Sequence, residues 1–244
     1  MRFLSIIAAT LAGGAALAPA VASGSLVSNG SFEVLTSGLG QLGYNTNAVG
    51  GTTTGYNFVF VGSNGDSVGS NGAYSNLKLW RPANGSANGL GPSPYGGNYV
   101  GADGAFGVAP IQQVLTGLTA GKRYAIAFSW GGIQQNGFNG TQTEQWEVSL
   151  GGAPAQFTSI YNNPNHGFSG WINEKFIFVA DGTSATLSFL AHGTPNGVPP
   201  FSLLDGVSGG AVPEPASRRL MIGGLGLVGA ALRFRRRGPA TVAA

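Results

Sequence analysis

The chain has no cysteine, two histidines and two methionines among 244 residues, and only 9% of its positions are charged. Each shortage excludes something. Without cysteine there is no disulfide framework, no thiol nucleophile and no Cys-ligated metal. With only His166 and His192 to serve as bases, both expected in loops or at a strand end, a Ser-His-acid triad has little to draw on. The scarce charge is also unevenly placed. Seven of the 12 cations lie at the two ends (Arg2, Arg218, Arg219, Arg233, Arg235, Arg236 and Arg237), against one terminal acid, Glu214. The remaining body holds 5 cations and 8 acids, a net charge of −3. A nucleic-acid binder carries a basic patch on its folded part, so no nucleic-acid partner is expected.

What the chain does have is glycine, 43 residues of it, and 10% aromatics, enough to build a core. Its ends carry readable signals. Residues 1–22 combine Arg2, an apolar run from 3 to 17 and a small-residue site at Ala20-Val21-Ala22, the plan of a secretory signal peptide cleaved after Ala22. The other end, residues 211–244, places Pro213-Glu214-Pro215 first, then a wholly apolar or glycine run over 220–232, then the Arg cluster at 233–237. Prolines make the first part extended and stiff. The arginines favour staying cytoplasmic, which leaves the body outside. Within the apolar run, Gly224, Gly226 and Gly229 fit a G-x-G-x-x-G pattern, but no acid follows and no βαβ unit surrounds it. Small residues for close helix packing in a membrane explain the run better.

This order of features resembles the PEP-CTERM sorting signal, in its PEPxxWA form. The resemblance implies export to the cell surface or beyond, an intermediate held transiently in the inner membrane, and an exosortase-type sorting protease acting near Pro213, Glu214 and Pro215. One departure stands out: Arg218-Arg219 occupies the place of Trp-Ala. An apolar helix over 220–232 would be about 20 Å long against a hydrocarbon core of about 30 Å. A transient stop is therefore expected rather than a permanent anchor.

The body, residues 23–210, reads as short alternating strands divided by Gly, Asn, Pro and Ser clusters. Tyr124, Ile126, Phe128 and Trp130 share one face of a run over 123–130; Trp146, Val148 and Leu150 share a face over 145–150; Leu187, Phe189 and Ala191 do so over 185–191. Residues 171–180 alternate less cleanly and read as a strand buried on both sides. Period-two alternation with frequent turn signals predicts an all-β fold, an antiparallel jelly-roll-like β-sandwich. The connection at 116–121 should be tight, and 63–72 and 82–97 should be long loops. The segments Leu26-Val27-Ser28-Asn29-Gly30-Ser31-Phe32-Glu33 and Phe201-Ser202-Leu203-Leu204-Asp205-Gly206-Val207 resemble the first and last strands of galactose-binding-like, jelly-roll carbohydrate-binding modules.

That resemblance implies a structural calcium held by Glu33 and Asp205 where first and last strands meet. Calcium takes six to eight oxygens, so two carboxylates with carbonyls and water would suffice; read as residues alone, Glu33 is a strand-end charge and Asp205 a turn former before Gly206. Sugar binding calls for exposed aromatics beside amides, which points to Trp80, Tyr95, Gln134 and Gln135, while Trp130, Trp146 and Trp171 keep phase with the core. Glu144 and Glu147 stand three apart and so face opposite ways on a strand, which disfavours a glycosidase pair. The expected function is that of an exported, non-catalytic surface or matrix protein touching extracellular polysaccharide. A ligand-free envelope component and a secreted hydrolase are the alternatives. Deleting residues 213–244 should change where the protein resides without unfolding the body; circular dichroism of the truncated protein, showing the β spectrum kept, is the check.

Overall fold

The computed structural model describes residues 25–44, 46–62, 65–67, 77–213 and 233. The signal peptide, Glu214, Pro215 and the apolar run at 220–232 lie outside the described residues. Eleven strands follow in chain order: β1 (Gly40–Gln41), β2 (Asn57–Val61), β3 (Asn98–Asp103), β4 (Ile111–Thr116), β5 (Arg123–Gln134), β6 (Gln142–Leu150), β7 (Gln156–Phe157), β8 (Tyr161–Asn163), β9 (Ile172–Val179), β10 (Ser184–Thr194) and β11 (Pro200–Ala211). They form two antiparallel sheets, ordered β1-β2-β3-β11-β5-β9 and β4-β10-β6-β7, with β8 also paired to β6. Among the described residues, no helix is long and apolar enough to cross a membrane.

The alternation read from the sequence is what joins the sheets. On β6, Gln142, Glu144, Trp146, Val148 and Leu150 point inward while the residues between them are half-exposed. Leu187 and Phe189 of the neighbouring β10 join them, and Tyr124, Ile126, Phe128 and Trp130 of β5 meet them from the opposite sheet. Trp146 is fully buried and its indole N–H donates to the Leu203 carbonyl of β11 at 3.0 Å, so one side chain pins both sheets.

The six-stranded sheet is buried on its outer face as well. Phe58, Phe60, Tyr99, Ile133, Phe201 and Leu203 project there and are covered by Leu77, Leu79 and Leu90 from the long β2–β3 connection and by Phe168 and Trp171. Strand β2 accordingly shows consecutive buried residues rather than alternation. The five-stranded sheet has one covered face; outward residues of β6 are polar, while Val114 of β4 and Phe157 of β7 are exposed apolar residues.

Two expectations need correction. Residues 26–33 form bends, not a strand: Leu26 N–H bonds the Gly209 carbonyl and Val207 N–H bonds the Gly30 carbonyl, but Asn29 and Phe32 take positive φ and break the ladder. Strand β9 is not buried on both sides. It ends the sheet beside β5, and Val179 is 51% exposed. The connection at 116–121 is tight, as expected, and carries the chain from β4 in one sheet to β5 in the other.

Both chain ends leave from one pole. Gly209 N–H donates to Ser25 Oγ, and Val212 N–H donates to the Arg123 carbonyl as β11 ends. The other end of β11, where Pro200 pairs with Gln134, lies roughly 35–40 Å away at a strand rise of about 3.3 Å per residue. Truncating Trp146→Ala should lower unfolding free energy by about 3–5 kcal/mol in urea titration, because it removes a fully buried aromatic and an inter-sheet hydrogen bond.

Candidate ligand site at the pole opposite the tail

Strands β6, β8 and β10 converge at this far pole. Their ends line an open groove of roughly 570 Å³, with Thr141, Gln142 and Thr143 on one side, Asn162, Asn163 and Pro164 on another, and Thr194 and Pro195 closing it. No charged side chain lines it. The Thr143 and Thr194 hydroxyls are hydrogen-bonded at 2.7 Å across the β6–β10 ladder. From there the outward residues of the two strands continue as cross-strand pairs, Gln145 with His192 and Glu147 with Leu190. His192 Nε2 meets Glu147 Oε2 at 2.8 Å, and Phe157, 51% exposed, flanks the pair from β7. The result is an open, almost neutral polar strip ending in the groove.

Beneath the groove floor lies a buried acid. Glu144 has no solvent exposure. Its Oε1 accepts from Gln142 Nε2 at 2.5 Å and from Asn163 Nδ2 at 3.1 Å, and the Gln142 amide also donates to the Ile133 carbonyl of β5. Burial pushes its carboxyl up to about 8, with the two amides pulling the other way. Space for it is made by Gly132: a Cβ there would sit 2.7 Å from Glu144 Oε2 and 2.8 Å from the Tyr161 ring.

The expected ligand residues fall in two separate places. Trp80 is half-buried, stacked on His166 with ring centroids 3.7 Å apart, and its indole N–H is held by the Phe138 carbonyl. Gln134 is fully buried; its amide donates to the Gly140 carbonyl and its Oε1 accepts the His166 N–H. Gln135 pairs with Leu79 in an isolated bridge, its side-chain oxygen buried. These three residues knit the loops around the groove. Tyr95 is 55% exposed but belongs elsewhere, its ring beside Gly206 near the middle of β11.

Glu33 and Asp205 lie near Tyr95. Asp205 is fully buried at the β11 bulge, where its carboxylate accepts from the Ser93 hydroxyl and from Gly206 N–H. Glu33 is exposed, and its Oε1 accepts from Asn98 N–H at 2.8 Å. Burial pushes the Asp205 carboxyl up to about 7, and the negative charge of Glu33 adds to the rise. Gly97, at φ +59, leaves the space a Cβ would take from the Glu33 carboxylate. Two acids within electrostatic reach, with a hydroxyl between loop and strand, are a donor set suited to a hard cation. Among the described residues no group of three or more His, Cys, Asp or Glu gathers.

The residues a hydrolase would need are dispersed. His166 is committed to Trp80 and Asn139, and His192 to Glu147 on the outer face. Gly-x-Ser-x-Gly occurs around Ser67 and Ser208, yet Ser208 lies within β11, and the buried Ser67 hydroxyl donates to the Leu77 carbonyl. Neither serine is described at a strand-to-helix turn, the place such an elbow requires.

Residues 211–237 match the family model of the PEP-CTERM protein-sorting motif. The motif marks the chain for export to the cell surface and implies processing by an exosortase. Among solved structures, the chain is similar to the carbohydrate-binding module TmCBM61 in complex with β-1,4-galactotriose, at 14% identity over 78% of this chain and 100% of that one, TM-score 0.40. It is similar to the CBM22-1 xylan-binding domain from Paenibacillus barcinonensis, at 14% identity over 80% and 100%, TM-score 0.39. A third is the N-terminal cellulose-binding domain of a Cellulomonas fimi β-1,4-glucanase, at 12% identity over 74% and 100%, TM-score 0.34. No curated protein matches the chain by sequence. These are likenesses of strand arrangement at low identity; what this chain binds has to be argued from its own residues.

Proposed function

We propose that this protein is an exported, non-catalytic surface component that binds neutral extracellular polysaccharide along the outer face of β6 and β10 and in the groove at their end. The observation that carries the reading is the strip itself: hydroxyl and amide side chains in an uncharged groove, prolines at its walls and Phe157 exposed at its side. Sugars offer many hydroxyls and weakly apolar C–H faces, and an aromatic ring with amides and hydroxyls around it meets both. Its position supports the same reading. The sorting tail leaves from the opposite pole, so a chain held by its tail presents the groove outward.

Calcium would sit at a different place and do a different job. Glu33 and Asp205, with the Ser93 hydroxyl beside them, would hold the ion. It would supply positive charge between two acids that otherwise repel, and tie the bent segment 26–33 and the loop before β3 to β11.

Retardation of the mature exported protein in gels cast with neutral polysaccharides tests the first reading. Phe157→Ala and Thr194→Ala should each weaken retention about 5–10-fold while leaving the melting temperature unchanged, since both side chains are exposed. Failure of every polysaccharide to retard the protein, with and without calcium, would leave a ligand-free envelope component as the answer. For the ion, calcium should raise the melting temperature by several degrees in the natural protein and not in Glu33→Gln. An identical melting curve in calcium and in chelator would rule it out.

A further inference from the structure

We infer that Glu144 is held as a neutral carboxylic acid and works as a pH-sensitive latch on the floor of the groove. The acid is fully buried between the sheets, and every element packed against it faces it with an uncharged group. Gln142 approaches from its own strand, Asn163 and Tyr161 from β8, and the Gly132 backbone from β5, while β10 sets Gly193 opposite it in the ladder. Among the described residues no Lys, Arg or His pairs with it. The only titratable group among these neighbours is the Tyr161 phenol, which burial and the charge of Glu144 push up. Both amides donate to one oxygen, Oε1, and Oε2 has no partner. A carboxylate in such surroundings loses its hydration and gains no cation, so the proton is retained.

What the proton holds shut follows from topology. Asn163 belongs to β8, a strand of three residues whose ladder runs to Gln142, Thr143 and Glu144 of β6. It is the shortest-laddered wall of the groove, and the loop after it carries His166 onto Trp80. If Glu144 ionises, the charge must be rehydrated, and the way to water is through this wall. The sign follows from the carboxyl lying at about 8 in the fold against 4.5 for a free glutamate. Between those values the folded chain binds the extra proton, so stability falls as pH rises from about 4.5 to about 8 and is level above that. Asp103, pushed up to about 6 by burial, and Asp205 slope the same way, so the informative quantity is the difference between the natural protein and Glu144→Gln.

Glutamine keeps the shape and hydrogen-bond acceptor of the neutral acid without its proton. Melting temperatures of the mature exported protein and of E144Q should agree near pH 5 and separate by several degrees near pH 9, with E144Q the more stable. Trp80 fluorescence should change over the same range in the natural protein alone, with W80F identifying the signal. Infrared spectra near pH 7 should show more protonated-carboxyl intensity in the natural protein than in E144Q, which keeps only the contributions of Asp205 and Asp103. Parallel melting profiles, or equal protonated-carboxyl intensity in the two proteins, would overturn the latch; so would complete absence of that intensity from the natural protein near pH 7, a result that stands even if E144Q does not fold. The coupling to sugar rests on the binding reading above, and predicts that retention weakens above about pH 8 in the natural protein only. Absence of retention at every pH would defeat the binding reading while the melting and infrared results still judge the latch.

Discussion

Strand β11 runs through the middle of the six-stranded sheet, and the structure depends on its being covered on both faces. Leu204 faces the inter-sheet core while Phe201 and Leu203 face the second cluster. A strand so placed cannot leave backbone groups unpaired, because an unsatisfied buried amide costs as much as a lost hydrogen bond. It is therefore paired with β5 along most of its length and with β3 over 201–204, and its carbonyl at Leu203 even takes the indole N–H of Trp146 from the other sheet. The ladder relaxes only at the bulge between Asp205 and Ser208. That interruption gives a buried carboxylate hydroxyl and amide donors of its own, and it is where Glu33 and the loop before β3 close in.

The same strand sets the polarity of the molecule. Its first residues border the groove and the Trp80–His166 stack; its last residues hand the chain to the sorting motif beside Ser25. Ser25 and Val212, at the two ends of the described body, thus share one pole, and the uncharged groove occupies the other. A protein with so little charge on its body exerts only a weak long-range pull on a large ionic partner. What it can offer is hydrogen bonding and apolar contact, and both are concentrated where the single-faced sheet meets solvent.

The legible parts of the fold were those in which one periodicity dominates. Strands β5, β6 and β10 alternate because one side of each is in the core, so Tyr124 to Trp130 and Trp146 to Leu150 could be read directly. Strand β9 misled because Phe176, Ile177 and Phe178 are apolar in succession, which reads as burial on both sides, yet an edge strand can carry the same pattern. The segment from Leu26 to Glu33 carries strand-like residues, but Asn29 and Phe32 at positive φ turn it into bends, and nothing in the sequence announces a positive φ at phenylalanine. The proximity of Glu33 to Asp205 was suggested by resemblance and not by spacing, since 172 positions separate them. Trp80 and Gln134 were read as ligand-facing because amides and indoles suit sugars; in the structure their polar groups fasten loops. The groove was missed because Thr, Asn and Pro are also the residues of ordinary turns.

Glu144 and Glu147 show why the pleat of one strand governs the chemistry available to this fold. The two acids are three residues apart, so the period of two that sends Glu144 inward sends Glu147 to the surface. Glu147 finds His192 across the ladder and remains wet. Glu144 finds only amides and keeps its proton. Glycoside hydrolysis needs an acid and a base facing one bond from opposite sides. Strand β6 places its two carboxyls on opposite faces of a sheet, where no bond can lie between them. Strand β6 therefore supplies a sealed acid beneath the groove floor and a surface acid beside a histidine.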